Sequence, residues 1–132
     1  MSVPQPIREY LTLFDTTLRD GAQTTGVDFS LEDKRTIAAM LDDLGLDYIE
    51  GGYPGANPLD TQFFERRPKL RAKFAAFGMI KRAGRSIAND PGVAGTLEAD
   101  TDAVVFVAKA WDFQVRVALG ATLEENLEGI AA

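Results

Sequence analysis

Four short apolar, β-prone runs, separated by helix-like segments, constrain the fold of this chain more than any other feature. The runs cover residues 10–14, 47–49, 73–77 and 103–107. Strands that alternate with helices at a spacing of roughly thirty residues form right-handed βαβ units, and such units build a parallel sheet. The sequence therefore predicts an α/β fold.

Capping residues predict where the helices between these runs begin. Ser30 followed by Asp33 predicts an N-terminal capping box, and Gly45 supplies a stop. Asn57-Pro58 and Asn89-Asp90-Pro91 each place a capping side chain before a proline, which predicts two more helices. The apolar residues at helical spacing are Ile37, Met40, Leu41 and Leu44 in the first helix, Leu59, Phe63 and Phe64 in the second, and the inward-facing Val93 and Leu97 in the third.

Two α/β architectures fit this alternation. One is an open, doubly wound sheet of about this length, and the other is part of a (β/α)₈ barrel, which needs roughly 250 residues. Thr122 with Glu125 forms a capping box that begins another amphipathic helix, and the sequence stops two turns later at Ala132. We therefore interpret residues 1–132 as about four βα units, the N-terminal half of a (β/α)₈ TIM barrel.

The charge and the residue types that are missing exclude several classes of function. A net charge of −6 without basic stripes argues against a nucleic-acid partner. The absence of cysteine excludes disulfides, thiolate catalysis and zinc–cysteine sites, and the absence of histidine leaves carboxylates alone for any metal site. Nothing at the N-terminus resembles a signal peptide or a membrane span, so we expect a soluble cytoplasmic protein without a membrane partner.

Ligands of parallel α/β folds lie beyond the carboxyl ends of the strands, and polar residues follow all four runs. Arg19, Asp20 and Gln23 follow the first run, and Glu50 follows the second. An arginine is a fixed cation for an anionic substrate oxygen, and an aspartate is a hard oxygen ligand for a divalent metal. The later runs are followed by Gly78, Lys81, Lys109, Trp111, Asp112 and Gln114. We expect two carboxylates, an arginine and a lysine among these residues to lie together at one rim, formed by the carboxyl ends of the strands.

Each of these residues also has a plainer interpretation. Arg19-Asp20-Gly21 alone fits a surface turn, because Asp-Gly is a common turn pair. Glu50 either caps a strand in water or pairs with Arg19 inside the barrel mouth. Trp111 is interpreted as a packing residue, and the glycines of residues 51–55 as a tight loop that allows close backbone approach.

Residues 15–23, Asp-Thr-Thr-Leu-Arg-Asp-Gly-Ala-Gln, resemble the opening motif of the DRE-TIM metallolyases. This superfamily has a pyruvate carboxyltransferase-like (HMG-CoA lyase-like) barrel and includes isopropylmalate, homocitrate and citramalate synthases. Further segments resemble the later strands of citramalate synthases: residues 48–58, 74–79, 107–113 and 119–127. Trp-Asp-Phe at 111–113 and Thr-Leu-Glu-Glu-Asn-Leu at 122–127 favour that member of the family.

The resemblance implies a function and a role for each matching residue. It implies an acyltransferase that condenses acetyl-CoA with a 2-keto acid, most closely pyruvate to give citramalate for isoleucine biosynthesis. Asp20 matches a metal ligand, so the resemblance implies a divalent cofactor (Mg, Mn or Zn) that acts as a Lewis acid. Arg19 and Glu50 match catalytic residues, Arg19 also orients the keto-acid oxygen, and Gln23 contacts the substrate.

Two departures limit what this sequence does alone. The family's His-x-His metal ligands and its general base come later than Ala132, and Gln114 stands where the family often has histidine. We therefore expect the 132-residue chain to bind metal weakly, if at all, and to be inactive by itself. Alternatives are another keto acid, as in isopropylmalate or homocitrate synthase, and an HMG-CoA lyase type of reaction. A further alternative is a non-catalytic half-barrel module that self-associates through its sheet edges, so we expect a homo-oligomer.

Overall fold

A computed structural model of the chain describes residues 9–132. Its strands are β1 (Phe14–Asp15), β2 (Tyr48–Gly52), β3 (Lys73–Met79) and β4 (Ala103–Val107). Its α-helices are α1 (Leu31–Asp43), α2 (Pro58–Glu65), α3 (Pro91–Glu98), α4 (Asp112–Ala118) and α5 (Leu123–Ala131), and short 3₁₀ turns cover Gly21–Gln23 and Ile87–Asn89. The α/β prediction is confirmed.

The order of the strands decides between the two predicted architectures. All neighbouring strands are parallel, and the sheet order is β1-β2-β3-β4, the same as the order along the chain. A doubly wound sheet reverses direction at a switch point, whereas a barrel adds each strand beside the previous one. The chain therefore has the arrangement of the N-terminal half of a TIM barrel.

The first strand is shorter than the sequence predicts. Residues 10–13 were expected to be in a strand, but β1 begins at Phe14, and Tyr10 and Leu11 are 99% and 80% exposed. β1 pairs only with β2, which begins at Tyr48, so the residues before Leu13 have no neighbouring strand. The second strand is longer than predicted because it continues through Gly52, which places Glu50 inside β2 instead of after it.

The predicted helix starts are confirmed. Ser30 and Asp33 form a reciprocal capping box on α1, and Thr122 and Glu125 form another on α5. Asn57 caps α2 with Pro58 at its first position, and Asp90 caps α3 by accepting from the backbone N–H groups of Gly92 and Val93. Helix α4 was not predicted, because Trp111 at its N-cap makes no side-chain capping bond.

The core lies between the sheet and the helices α1 and α2. It consists of Leu18, Ala38, Ile49, Phe63, Phe64, Ala72, Phe74 and Ala76. Ile37 and Leu41 pack against this cluster, but Met40, Leu44 and Leu97, which were predicted to lie on apolar faces, are more than half exposed. Lys34 is only 1% exposed on the core side of α1, because a buried carboxylate pairs with its ammonium group.

Candidate functional site

The loop after β1 is held by a dense set of local hydrogen bonds. The carbonyl oxygen of Thr16 accepts from the backbone N–H groups of Arg19, Asp20 and Gly21 at 3.1, 2.8 and 3.2 Å. The carboxylate of Asp15 accepts from both the N–H and the hydroxyl of Thr17 at 2.9 Å each. Because the turn is fixed in this way, the side chain of Arg19 leaves the backbone in a defined direction.

Arg19 joins the predicted site residues into one cluster. Its Nε donates to Oε2 of Glu50 at 2.7 Å, and its guanidinium lies 3.2 Å from Oδ1 of Asp20. The guanidinium carbon also lies 4.3 Å from the centre of the Phe77 ring, a cation–π contact. The side chain of Glu50 is 1% exposed, that of Arg19 is 20% exposed, and that of Asp20 is 65% exposed. Glu50 therefore pairs with Arg19 and does not cap a strand in water.

Strand alternation explains why Glu50 meets Arg19. Ile49 belongs to the core beneath the helices, so its neighbour Glu50 projects from the opposite face of the sheet. Glu50 is in register with Ala75 of β3, and the pairing of β2 with β3 shifts between Glu50 and Gly52. A Cβ at Gly51 would lie 2.4 Å from the Phe74 ring, so only glycine permits this approach of β2 to the core.

Arg19 and Gln23 line a cavity of about 250 Å³ beside this ion pair. The rings of Phe77 and Tyr53 and the side chain of Asn57 form other parts of its wall. Ligand cavities in proteins hold roughly 300–1,000 Å³, so this volume, which is just below that range, fits only a small molecule. Two carboxylates also line this space, Asp28 and Asp60, and Asp60 is paired with Lys34. An arginine, two amides and two aromatic rings can bind a small carboxylate or keto acid.

The sequence analysis expected a lysine at this rim, but neither Lys81 nor Lys109 lines the cavity beside Arg19. Lys81 and Lys109 line a second cavity, which touches the first only at Tyr53. Trp111 is 59% exposed and stacks on Phe113, which is itself 54% exposed, with ring centroids 5.0 Å apart. Its interpretation as a packing residue stays a prediction.

The remaining predicted site residues do not contribute functional groups to the Arg19 cluster. Asp112 lies 3.6 Å from Arg116 within α4, and Gln114 is exposed on the same helix. Gly78 provides room for helix packing, because a Cβ there would lie 2.7 Å from the hydroxyl of Thr96 in α3.

Sequence reasoning missed the buried ion pair that supports the loop after β2. Nζ of Lys34 pairs with the carboxylate of Asp60 and donates to the carbonyl oxygen of Gly51 at 2.9 Å. The other oxygen of Asp60 accepts from the N–H of Tyr53 at 2.9 Å. The sequence signal is weak, because a lysine in a helix is usually exposed.

Residues 9–132 do not supply a complete metal site. No group of three or more aspartate, glutamate, histidine or cysteine side chains lies close enough together within this range to hold an ion. Asp20 offers an exposed carboxylate, but the nearby Glu50 carboxylate is bonded to Arg19. One carboxylate beside a guanidinium is a poor donor set for a divalent cation, which prefers several oxygen ligands. The assignment of Asp20 as a metal ligand stays a prediction.

Comparison with known proteins shows which family the chain resembles. Residues 10–132 match the family described as HMGL-like. The chain is 49% identical to an (R)-citramalate synthase of Aquifex aeolicus over 92% of the chain and 24% of that enzyme. It is 44% identical to an (R)-citramalate synthase of Streptomyces coelicolor over 99% of the chain and 25% of that enzyme.

A 2-isopropylmalate synthase of a Bradyrhizobium species matches less of the chain. The two are 45% identical over 64% of the chain and 16% of that enzyme. The comparisons favour similarity to citramalate synthases, of which the chain spans about a quarter of the length. Among residues 9–132, none of the helices has the length and apolar character that crossing a membrane requires.

Proposed function

Because this chain belongs to the HMGL-like family, we propose that it is the N-terminal part of a citramalate synthase, which condenses acetyl-CoA with pyruvate. The observation that supports this proposal most strongly is the Arg19–Glu50 pair beside a small cavity. A guanidinium that is 20% exposed has left most of its water but still reaches the cavity. It is therefore placed to bind an anionic oxygen of a small keto acid.

Arg19 has the chemistry that the condensation requires at the ketone. When a carbon nucleophile attacks the ketone carbon, negative charge develops on its oxygen, and a fixed cation stabilises that charge. Glu50 bonds Nε of Arg19, which leaves the outer guanidinium nitrogens to face the ligand and Asp20. We assign Glu50 the role of a positioning residue for Arg19, and Gln23 a hydrogen bond to the substrate.

Asp20 is proposed to contribute one ligand to a divalent ion in the whole enzyme. Such an ion, when bound, polarises the keto group of the substrate. Residues 9–132 contain no group of three candidate ligands, so we propose that the remaining ligands and the general base come from the rest of the enzyme. The isoleucine pathway and a cytoplasmic location also stay predictions.

A chimaeric enzyme tests the proposed function. This chain replaces the matching part of the citramalate synthase of Aquifex aeolicus, to which it is 49% identical. We expect the chimaera to release CoA from acetyl-CoA when pyruvate is present. We expect Arg19→Gln to lower kcat/KM for pyruvate by about 100- to 1,000-fold, because a preorganised donor to the developing charge is lost.

The matched control is Arg35→Gln, which removes an arginine from α1 that does not line the cavity. It should leave kcat/KM within about twofold, since surface substitutions away from a site have small effects. A folded chimaera that stays inactive with pyruvate, or an Arg19→Gln variant that keeps full activity, would contradict the proposal. The isolated 132-residue chain is expected to release no CoA above a blank.

The same chimaera distinguishes the alternative enzymes. Faster CoA release with a branched or dicarboxylic 2-keto acid than with pyruvate would favour an isopropylmalate or homocitrate synthase. Cleavage of a hydroxyacyl-CoA without condensation would favour a lyase.

A non-catalytic, self-associating module is the second candidate function. It is favoured by apolar side chains at both sheet edges: Leu13 and Phe14 beside β2, and Phe106 in β4, are 47%, 43% and 38% exposed. An exposed strand edge with apolar neighbours invites pairing with another chain. Oligomerisation is therefore part of the proposal for either function.

A further inference from the structure

Strand β2 departs from regular pairing just after Glu50. Glu50 is in register with Ala75 of β3. Gly52 is in register with the next residue of β3, Ala76, so Gly51 is an extra residue in β2. Such a β-bulge bends the strand locally, and bulges beside functional sites commonly change the direction of the side chains around them.

The bulge changes the face to which the following residues point. In a regular strand, successive side chains point to opposite faces of the sheet. A Cβ at Gly51 would lie 2.4 Å from the Phe74 ring, on the core side of β2. A Cβ at Gly52 would lie 2.6 Å from the carboxylate of Asp60, which belongs to α2. Gly51 and Gly52 thus both face the helices, and Tyr53, which follows them, returns to the opposite face.

The side chains on either side of the bulge both act on Arg19. Glu50 accepts from Nε of Arg19 at 2.7 Å. The ring of Tyr53 packs edge-on against Phe77 with ring centroids 5.4 Å apart, and the Phe77 ring lies 4.3 Å from the guanidinium carbon. A change in the bulge would therefore alter two of the contacts that orient Arg19.

Lys34 and Asp60 hold the backbone on both sides of Gly52. Nζ of Lys34 donates to the carbonyl oxygen of Gly51 at 2.9 Å, the extra residue of the bulge. One oxygen of Asp60 accepts from the N–H of Tyr53 at 2.9 Å, and the other pairs with Lys34. Gly52 lies between these two bonds with a φ of +147°, a conformation that persists only when the surrounding structure holds it.

Stability alone does not explain why a buried ion pair is used here. Lys34 is 1% exposed and Asp60 is 8% exposed. Both ions lose water on burial, and well-packed apolar residues of similar volume are often equally or more stabilising. An apolar pair could not donate to one backbone group of the bulge and accept from another. The directional bonds to residues 51 and 53 are therefore what this pair adds.

We propose that Lys34 and Asp60 are positioning residues for Arg19. They fix the bulge, and the bulge directs Glu50 and Tyr53 to the face of the sheet where Arg19 lies. This inference rests on the proposed function only for the ligand that Arg19 binds. Its first test observes the Arg19 side chain itself and requires no catalysis.

Hydrogen exchange at the Nε–H of Arg19, followed by heteronuclear NMR of the 132-residue chain, is that first test. Arg19→Gln identifies the signal by its disappearance. We expect slow exchange in the parent chain, because this N–H is bonded to Glu50, whose side chain is 1% exposed. Lys34→Met should accelerate the exchange by about tenfold, since the segment that carries Glu50 then opens more readily.

Two further variants separate positioning from stability. Val115→Ala creates a cavity in α4, outside the β2 loop, so it should lower the urea midpoint but leave Arg19 exchange within about twofold. Lys34→Met combined with Asp60→Asn should recover part of the stability yet keep the exchange fast, because no ammonium group then holds the Gly51 carbonyl.

The double variant also keeps the test valid if Lys34→Met alone does not fold. Unchanged exchange at Arg19 in a folded variant that lacks Lys34 would overturn the proposal. Equal acceleration by Val115→Ala would overturn it as well, because the effect would then follow from lower stability alone.

The chimaeric enzyme gives a second readout. Lys34→Met should lower kcat for CoA release with pyruvate by about tenfold and change KM less, because Arg19 acts on charge that develops in the transition state. Val115→Ala should leave both constants within about twofold. An unchanged kcat in a folded Lys34→Met chimaera would overturn the positioning role. An inactive parent chimaera would contradict the proposed function, whereas faster Arg19 exchange in Lys34→Met would still support positioning.

Discussion

The guanidinium of Arg19 is oriented by contacts on three sides. Glu50 accepts from its Nε, Asp20 lies beside an outer nitrogen, and Phe77 lies against its face. A guanidinium held on several sides loses little conformational freedom when it binds a ligand. The entropic cost of binding is therefore small, and more of the interaction energy appears as affinity. At the scale of residues, the site thus consists of one cation and the groups that restrict it.

Lys34 and Asp60 make up the residue pair whose loss should cost most stability. Lys34 is buried with Asp60 and has no water to replace that partner. We expect Lys34→Met to lower the free energy of unfolding by about 3 kcal/mol, because it leaves a buried carboxylate uncompensated. Urea denaturation followed by circular dichroism measures this change.

Two further variants make that prediction specific. Lys34→Met combined with Asp60→Asn should recover part of the lost stability, since the amide keeps an acceptor for Tyr53 but removes the buried charge. Arg35→Met, at the neighbouring and more exposed position, should change stability by less than about 0.5 kcal/mol. If the double variant were less stable than the single one, the explanation by uncompensated charge would be wrong.

Two features require glycine at position 52: a positive backbone φ angle and the lack of room for a side chain. Its φ is +147°, and a Cβ there would lie 2.6 Å from the carboxylate of Asp60. We expect Gly52→Ala to lower the free energy of unfolding by about 3 kcal/mol, from backbone strain together with overpacking. Gly55→Ala is the matched control, because φ is +82° there but no atom lies within 4 Å. It should cost only about 1 kcal/mol, and equal losses at the two positions would contradict the steric part of this account.

At the scale of elements, two aspartates connect helices and strands to one another: Asp42, which is buried, and Asp102, which is partly exposed. Asp42 at the end of α1 accepts from the N–H groups of Arg71 and Ala72, just before β3. Asp102, just before β4, bonds Arg67 and accepts from the N–H of Phe74 in β3. The backbone bond from Ala72, above all, lowers the pKa of Asp42, and the bond from Arg67 does the same for the pKa of Asp102.

These shifts predict how stability depends on pH. A pKa that is lower in the folded state means that the unfolded state binds more protons, so the stabilisation is complete above the ordinary aspartate pKa of 3.8. It is lost as the pH falls through the lower, folded-state pKa values. We expect the urea midpoint to change little between about pH 7 and 5, and to fall steeply below about pH 4.

Replacing one junction aspartate tests the cause of this acid sensitivity. Asp42→Asn keeps an acceptor for the backbone of residues 71 and 72 but cannot lose a charge on acidification. Its urea midpoint should be lower than that of the parent chain at pH 7, and the difference should narrow at pH 3. A constant difference across this range would argue against ionisation of Asp42 as the source.

At the scale of the whole molecule, the sheet has two edges without a neighbouring strand. β1 pairs only with β2, and β4 pairs only with β3, among residues 9–132. Backbone N–H and C=O groups at such edges pair readily with another copy of the chain. The self-association that we propose would cover these groups and the apolar side chains beside them.

Light scattering at several protein concentrations measures this self-association. We expect a mass above the 14.3 kDa of one chain, and we expect Leu13→Lys to shift it towards that value, because a lysine beside the β1 edge disfavours pairing. Leu44→Lys is the control, since Leu44 is 77% exposed, caps the end of α1 and is part of no strand. A monomer at all concentrations, or an equal effect of both variants, would contradict edge pairing.

The sequence determined the features that depend on local interactions. The caps at Ser30, Asn57, Asp90 and Thr122 each use a side chain that bonds the backbone two or three residues later, so their geometry needs nothing distant. The strand pattern and the charged residues after β1 were predictable for the same reason, and the family motif added the expected role of Arg19.

Only the tertiary structure decided which distant groups meet. The length of β1 depends on where β2 begins, and the burial of Lys34 depends on Asp60, which follows it by twenty-six residues. The cavity lined by Lys81 and Lys109 also has Asn126 of α5 in its wall, a meeting of distant segments that no short-range pattern specifies. Local bonds are encoded within a few residues, whereas burial and charge pairing depend on chain segments that come together only when the sheet has formed.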